Sequence, residues 1–450
     1  MPPGMFQRLR ASVTESRLVV QRRVVFWAGA VLVSLVAIGF ALAAIRADAL
    51  FHRAIAIDPR LALVITPVGL AISVILTRTV FPGAQGSGIP QVIAATEMQE
   101  GAAIKQVLSL RIAIGKLALT LLGLACGASI GREGPTVQVG AAILHWLGTL
   151  TKLPSAQLRA LVLAGGAAGI AAAFNTPLAG VVFAIEELSR SFEHRTSGIV
   201  LTAVIISGIA TLSLTGGGSY FGHNDATLPI GVGWEAVLAC AALGGLLGGS
   251  FSDILVRTSD GLPGFAGRFI RRRPVSFAFL CGLGIAGLGL LTNGLTYGTG
   301  YAQARDMVSG HSTLPPLFFE AKLFSSLLSY ASGIPGGIFA PSLAVGAGLG
   351  HSIAFLLPSA PAGAVVLLGM VAYFSGVVQA PITAAVIVME MTDNQDMTIP
   401  LMATSFLAYA ASRLVCRQAL YGALAQRFMA AMNTPIASGV MMDEADDAQA

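Results

Sequence analysis

From residue 24 to residue 430 the chain alternates apolar runs with short breaks rich in glycine, proline or charge. Helices are predicted near 24–45, 61–80, 89–98, 107–127, 135–149, 157–173, 177–189 and 197–213. A second set is predicted near 233–256, 275–291, 301–309, 316–331, 341–356, 362–375, 381–391 and 398–416, and a last helix near 419–430. Several fall well short of the roughly 20 residues that a full membrane span needs. Short, interrupted segments at matching places in two halves point to a transporter-type site near the membrane midplane.

Three of the apolar runs open on the same pattern, Gly-x-x-x-Pro. The copies are Gly86-Ser87-Gly88-Ile89-Pro90, Gly131-Arg132-Glu133-Gly134-Pro135 and Gly337-Ile338-Phe339-Ala340-Pro341. Proline suits the start of a helix, where its missing N–H costs nothing. Glycine lets the chain turn and leaves backbone N–H groups unobstructed. A helix that starts this way aims free N–H groups and a positive dipole end at whatever precedes it, which makes an anion site. Glu133 is an anion tethered at such a mouth. Turns between membrane helices would also use these residues, so the pattern carries weight through its threefold recurrence.

The two sets repeat each other. A shift of 206 places Lys116–His145 on Lys322–His351 with twelve identities in thirty positions. They include Lys116, Gly127, Gly131, Pro135, Gly140 and His145. A shift of 204 places Gly165, Ala168, Pro177 and Glu186 on Gly369, Ala372, Pro381 and Glu390. Two related halves put a site between them, with the helices near 135 and 341 as symmetry mates aimed at one centre. Echoed residues read first as scaffold. Glu133 faces Phe339, Arg132 faces Ile338 and Glu187 faces Met391, so these ionisable groups are not explained by symmetry. Charge inside a membrane is costly and is usually kept for a purpose.

Composition agrees with a polytopic membrane protein: 55% hydrophobic and 11% charged residues, with a mean hydropathy of +0.77. The net charge of +5 sits in loops and speaks for topology rather than nucleic-acid binding. The four cysteines, Cys126, Cys240, Cys281 and Cys416, lie in or at the ends of apolar runs and have no metal-ligand spacing. Five arginines before residue 24 predict a cytoplasmic N-terminal segment, 1–23. A first membrane repeat, 24–213, is followed by an extracytoplasmic connection, 214–231, and a second repeat, 232–416. The arginine-rich stretch 257–274 is expected as an inside loop, 417–430 as a C-terminal helix and 431–450 as a disordered acidic tail. That tail is too short for a soluble regulatory domain, and both termini are expected in the cytoplasm, with a bacterial inner membrane as the setting.

These residues closely resemble the CLC family of chloride channels and chloride/proton antiporters. The motifs are Gly-Ser-Gly-Ile-Pro at 86–90, Gly-Arg-Glu-Gly-Pro at 131–135 and Gly-Gly-Ile-Phe-Ala-Pro at 336–341. Pro177 leading to Glu186-Glu187, the stretch 390–394, and Leu420-Tyr421 also fit. The resemblance implies an all-α, inverted-repeat membrane fold of about 17–18 helices, many tilted or broken. It implies a homodimer in lipid with one anion pathway per subunit, exchanging chloride for protons without a cofactor. By motif position, Ser87 and Tyr421 would donate hydroxyl hydrogen bonds to chloride, and the N–H groups of Ile338 and Phe339 would complete its site. Glu133 would be the outer gate and Glu187 the inner proton-transfer residue. Chloride needs several N–H and O–H donors without a trapping full charge. A carboxylate competes for such a site only while ionised, so anion and proton movements become linked. The alternative on the same scaffold is a passive chloride channel, which the acid at Glu187 argues against. An intramembrane protease is a third possibility, but no Ser/His or paired-Asp arrangement recurs at suitable spacing.

Overall fold

The computed structural model of the protein describes residues 3–433, apart from 99–100, 190–193, 217, 229–230, 232, 311–313 and 316. Its first half contains α1 (Pro3–Ile57), α2 (Ala62–Thr79), α3 (Ile89–Glu97), α4 (Gly101–Val107), α5 (Leu110–Ala125), α6 (Glu133–Leu150), α7 (Ser155–Phe174), α8 (Pro177–Phe183) and α9 (His194–Thr215). The second contains α10 (Trp234–Asp260), α11 (Gly264–Arg272), α12 (Pro274–Leu291), α13 (Tyr301–Val308), α14 (Phe318–Ala331), α15 (Phe339–Leu356), α16 (Ala362–Val378), α17 (Pro381–Thr392), α18 (Thr398–Val415) and α19 (Leu420–Asn433). Among the described residues, extended pairing is confined to two isolated bridges. Nine of the described helices are long and apolar enough to cross a membrane, which makes this a multi-pass membrane protein.

The apolar pattern misses two helices, α4 and α11. Both are short and polar on one side, so they take their stability from docking rather than from an apolar span. The expected loop 257–274 is therefore mostly helical: α10 runs on to Asp260 and α11 occupies Gly264–Arg272. The first helix also runs past 45 to Ile57. Charge does not end it, because Asp48 and His52 pair one turn apart at 3.3 Å. It stops where Asp58 accepts the Arg60 N–H ahead of Pro59. The expected tail is partly helix, since α19 reaches Asn433; residues 434–450 lie outside the described residues, as do the side chains of 1–24.

The internal repeat is visible in the packing. In the first half α6 and α7 cross so closely that a Cβ on Gly165 would strike the carbonyl oxygen of Gly140. In the second, a Cβ on Gly346 would lie 2.6 Å from the carbonyl oxygen of Gly369 at the crossing of α15 and α16. Small residues let membrane helices approach to backbone contact. The caps repeat as well: α7 ends on Asn175 at φ 57° and α16 on Gln379 at φ 59°, both left-handed.

The echoed lysines have a structural role. Lys116 is fully buried, and its Nζ donates to the carbonyls of Gln85 (3.1 Å) and Gly86 (2.8 Å), just ahead of α3. Lys322, equally buried, donates to Thr296 (2.9 Å) and Gly298 (2.8 Å), just ahead of α13. Each cation ties down the carbonyl oxygens of a tight loop, and both are fully buried, so neither lysine snorkels to a surface. The four cysteines are buried and unpaired.

Candidate functional site

The three motif helices start at one place, where the two halves meet. Gly131 and Gly337 exchange backbone hydrogen bonds of 2.6 and 2.7 Å, tying the start of α6 to that of α15. The Gly86 N–H donates to Ile334 at 3.3 Å, and the Gly336 N–H donates to Gly86 at 3.0 Å, which brings in the loop ahead of α3. Close approach explains the glycines here. A Cβ on Gly134 would collide with Ser87 Oγ, and one on Gly88, at φ 106°, would lie 2.8 Å from the Gly134 carbonyl oxygen. A Cβ on Gly337 would lie 3.0 Å from the Gly134 nitrogen.

The prolines sit deeper than the pattern suggests. Helix α6 begins at Glu133 and α15 at Phe339, so Pro135 and Pro341 are third residues, and Pro90 is the second residue of α3. This costs nothing, because the first N–H groups of a helix have no intrahelical acceptor. It moves Glu133 into the first turn itself. Arg132 and Ile338 are the N-caps, neither making a side-chain cap. The Ile338 and Phe339 N–H groups, at the head of α15, are therefore beyond the reach of its own carbonyls.

Glu133 is fully buried, and its carboxylate folds back over Gly131. Backbone N–H groups of Glu133, Ala340 and Arg132 face it. Neither oxygen closes a hydrogen bond among the described residues. Arg132 sits 5.9 Å from the centre of the Tyr220 ring on the 214–231 connection. Tyr220 is held in turn by Tyr301, whose hydroxyl donates to its carbonyl at 2.7 Å. The sequence reading overlooked this aromatic cover on the Glu133 side.

The Ser87 and Tyr421 side chains are both fully buried, with the Tyr421 hydroxyl in electrostatic range of Glu133. The hydroxyls face each other, yet neither has a hydrogen-bond partner among the described residues. Buried hydroxyls are nearly always bonded, so two neighbouring ones left open are unusual. The Tyr421 ring stands 5.9 Å from the Phe339 ring. Phe339 packs against Phe174, Phe183 and Phe374, which fixes the head of α15.

Glu187 is 2% exposed and within electrostatic range of the Tyr421 hydroxyl. It lies on a π-helical turn, Ala184–Ser189, where the sequence predicts a continuous helix over 177–189. Such turns concentrate at functional sites. The same turn sends Glu186 the other way, to the start of α17. Ser87, Glu133, Phe339 and Tyr421 thus meet in one cluster, and Glu187 borders it. A neighbouring hydroxyl, Tyr330, was also missed; it is the end of an apolar helix, six residues before the third motif, and only its lack of an echo could have marked it.

Residues 68–413 match the family model for the voltage gated chloride channel. The chain belongs to this CLC family. The H+/Cl− exchange transporter ClcA of Citrobacter koseri is 32% identical over 385 residues, covering 82% of this chain and 79% of that protein. The transporter of the same name from Yersinia pestis is 33% identical over 392 residues, covering 82% and 80%. Among solved structures, a slow cyanobacterial Cl−/H+ antiporter superposes with a TM-score of 0.78 at 26% identity, covering 91% of this chain and 98% of that one. A CLC-type fluoride/proton antiporter shares the fold, with a TM-score of 0.74 at 23% identity over 89% of this chain and 96% of its own. The all-helical inverted-repeat architecture of the CLC proteins is therefore the architecture of this chain.

Proposed function

We propose that this chain exchanges chloride for protons across the membrane. The observation that carries the reading is the meeting of a buried carboxylate, Glu133, with N–H groups at the head of α15 beside two open hydroxyls. In this reading Ser87 and Tyr421 donate to chloride, and the N–H groups of Ile338 and Phe339 complete its shell. Helix N-termini and hydroxyls stabilise an anion without a full positive charge that would trap it. Glu133 competes with chloride for donors while ionised and leaves once protonated. Glu187 passes the proton on the inner side, where the apolar core offers few other carriers.

The bacterial relatives are H+/Cl− exchange transporters by name, which supports the same reading. The protein works as a homodimer in a lipid bilayer, one pathway per subunit, with no cofactor and no nucleic-acid partner. Both termini face the cytoplasm of a bacterial inner membrane. Arg268, Arg271 and Arg272 on α11 support that sidedness through the excess of positive charge on cytoplasmic segments. The test is purified protein in liposomes under an imposed chloride gradient, with chloride and external pH recorded together. Chloride flux without proton movement turns the reading to a passive channel on the same scaffold; no flux of either ion removes it.

A further inference from the structure

One polar group beside the site has no part in the cycle above. Tyr330 lies near the end of α14, and its hydroxyl is 3.4 Å from the position a Cβ on Gly86 would take. The Ser87 backbone N–H faces its oxygen, and the Tyr421 hydroxyl lies within electrostatic range. Ser87 and Tyr421 are fully buried, whereas Tyr330 is partly exposed. Its hydroxyl thus lies beside the Ser87–Tyr421 pair. The repeat does not account for it: the shift of 206 places Leu124 on Tyr330, and Leu124 is fully buried in an apolar cluster. An apolar side chain serves the packing at that place in the fold, so the phenol of Tyr330 adds something that packing does not require.

We propose that Tyr330 is a specificity-determining residue of the anion path, its hydroxyl donating a hydrogen bond to the anion as it reaches or leaves the Ser87–Tyr421 pair. This rests on the exchange reading of the same site. A phenol oxygen that accepts from the Ser87 N–H still has its own proton to give. Gly86, at φ 64°, presents no side chain to that oxygen. A neutral donor beside the pair replaces part of the hydration shell without binding the ion too tightly to release. The gain is greatest for a small, strongly hydrated anion such as chloride and least for a weakly hydrated one such as thiocyanate. Tyr330 thereby favours chloride over larger, softer anions.

The test compares Tyr330→Phe with the parent by calorimetric titration with sodium chloride and with sodium thiocyanate. One neutral hydrogen bond corresponds to about a two- to tenfold loss of chloride affinity. Thiocyanate affinity changes less, so the preference for chloride falls. Thermal unfolding without either salt checks that the variant is folded; if it is not, Tyr330→Leu, the residue present at the symmetry mate, takes its place. Equal weakening for both anions assigns Tyr330 to packing and overturns the proposal, as do unchanged affinities. A parent protein that binds no chloride removes the exchange reading itself, and the proposal with it.

Discussion

Glu186 and Glu390 cap each other's helices. The Glu186 carboxylate accepts the N–H groups of Ile382 (3.1 Å) and Thr383 (2.6 Å), together with the Thr383 hydroxyl (2.7 Å), at the start of α17. Glu390, near the end of α17, accepts the N–H groups of Leu178 (3.1 Å) and Ala179 (2.6 Å) at the start of α8. Each acid satisfies helix donors that have no intrahelical partner and sits at the favourable end of a helix dipole. The two halves are locked antiparallel by this exchange.

Glu186→Ala is expected to lower stability by about 1.5–3 kcal/mol, the range for hydrogen bonds to a charged group. Chloride and proton fluxes of the folded fraction should stay coupled. Thermal unfolding in detergent, run beside Glu390→Ala, checks this. A midpoint equal to the parent's in both variants would contradict the capping role.

Glu187, one residue on, should behave in the opposite way. Glu187→Gln is expected to retain stability and chloride flux while proton movement stops. Paired flux recordings in liposomes decide it. Intact coupling in this variant would remove Glu187 from the proton route.

At the proposed gate, Glu133→Gln keeps the shape of the side chain but cannot ionise. Chloride flux is expected to continue, with proton coupling and most of its pH dependence lost. Proton pumping against a gradient, driven by chloride in the variant, would refute the gate assignment.

Ser87→Ala removes one of two open hydroxyls that face each other. Chloride affinity is expected to fall by about two- to tenfold, with the backbone donors retaining the rest. Calorimetric titration reads the change directly. An unchanged affinity would leave Ser87 as a loop residue packed against Gly134.

In the 214–231 connection His223 lies between two acids. His223 Nε2 lies 2.7 Å from Asp225 and its Nδ1 3.4 Å from Asp393. The Asp225 charge, aided by Asp393, holds the imidazole above its ordinary value of 6.5. A raised value in the folded state means that the contact stabilises fully below the unfolded value and is lost as pH rises through the folded one. Hydrogen exchange over 219–228, corrected for intrinsic rates, is therefore expected to be slower at about pH 5.5 than at about pH 8. His223→Gln, or salt at roughly 1 M, should shrink the difference, because these groups are exposed and screened. The backbone bonds from Phe221 to Met391 (2.8 Å) and from Asn224 to Thr392 (3.1 Å) keep the segment docked in both states.

Seventeen of the helices, and the repeat that relates them, were legible in the sequence. Membrane helices must bury or face lipid with apolar side chains and satisfy their own backbone, so composition marks them one by one. Pairing Gly131 with Gly337 at a shift of 206, and Glu186 with Glu390 at a shift of 204, already related the halves. What stayed hidden was whatever depends on a neighbour. Helices α4 and α11 are held by docking, the π turn at 184–189 interrupts a uniform apolar run, and Lys116 and Lys322 are spent on carbonyls of distant loops.

The sequence by itself determined most of the elements, their order and the three Gly-x-x-x-Pro helix starts, because hydropathy, proline and glycine act within a few residues. Only the tertiary structure decided that those starts share one point, that Ser87 and Tyr421, 334 positions apart, turn open hydroxyls toward each other, and that Tyr330 stands beside them. Hydrogen bonding between side chains reaches about 3 Å and has no memory of chain distance, so the site exists only once both halves have closed around it.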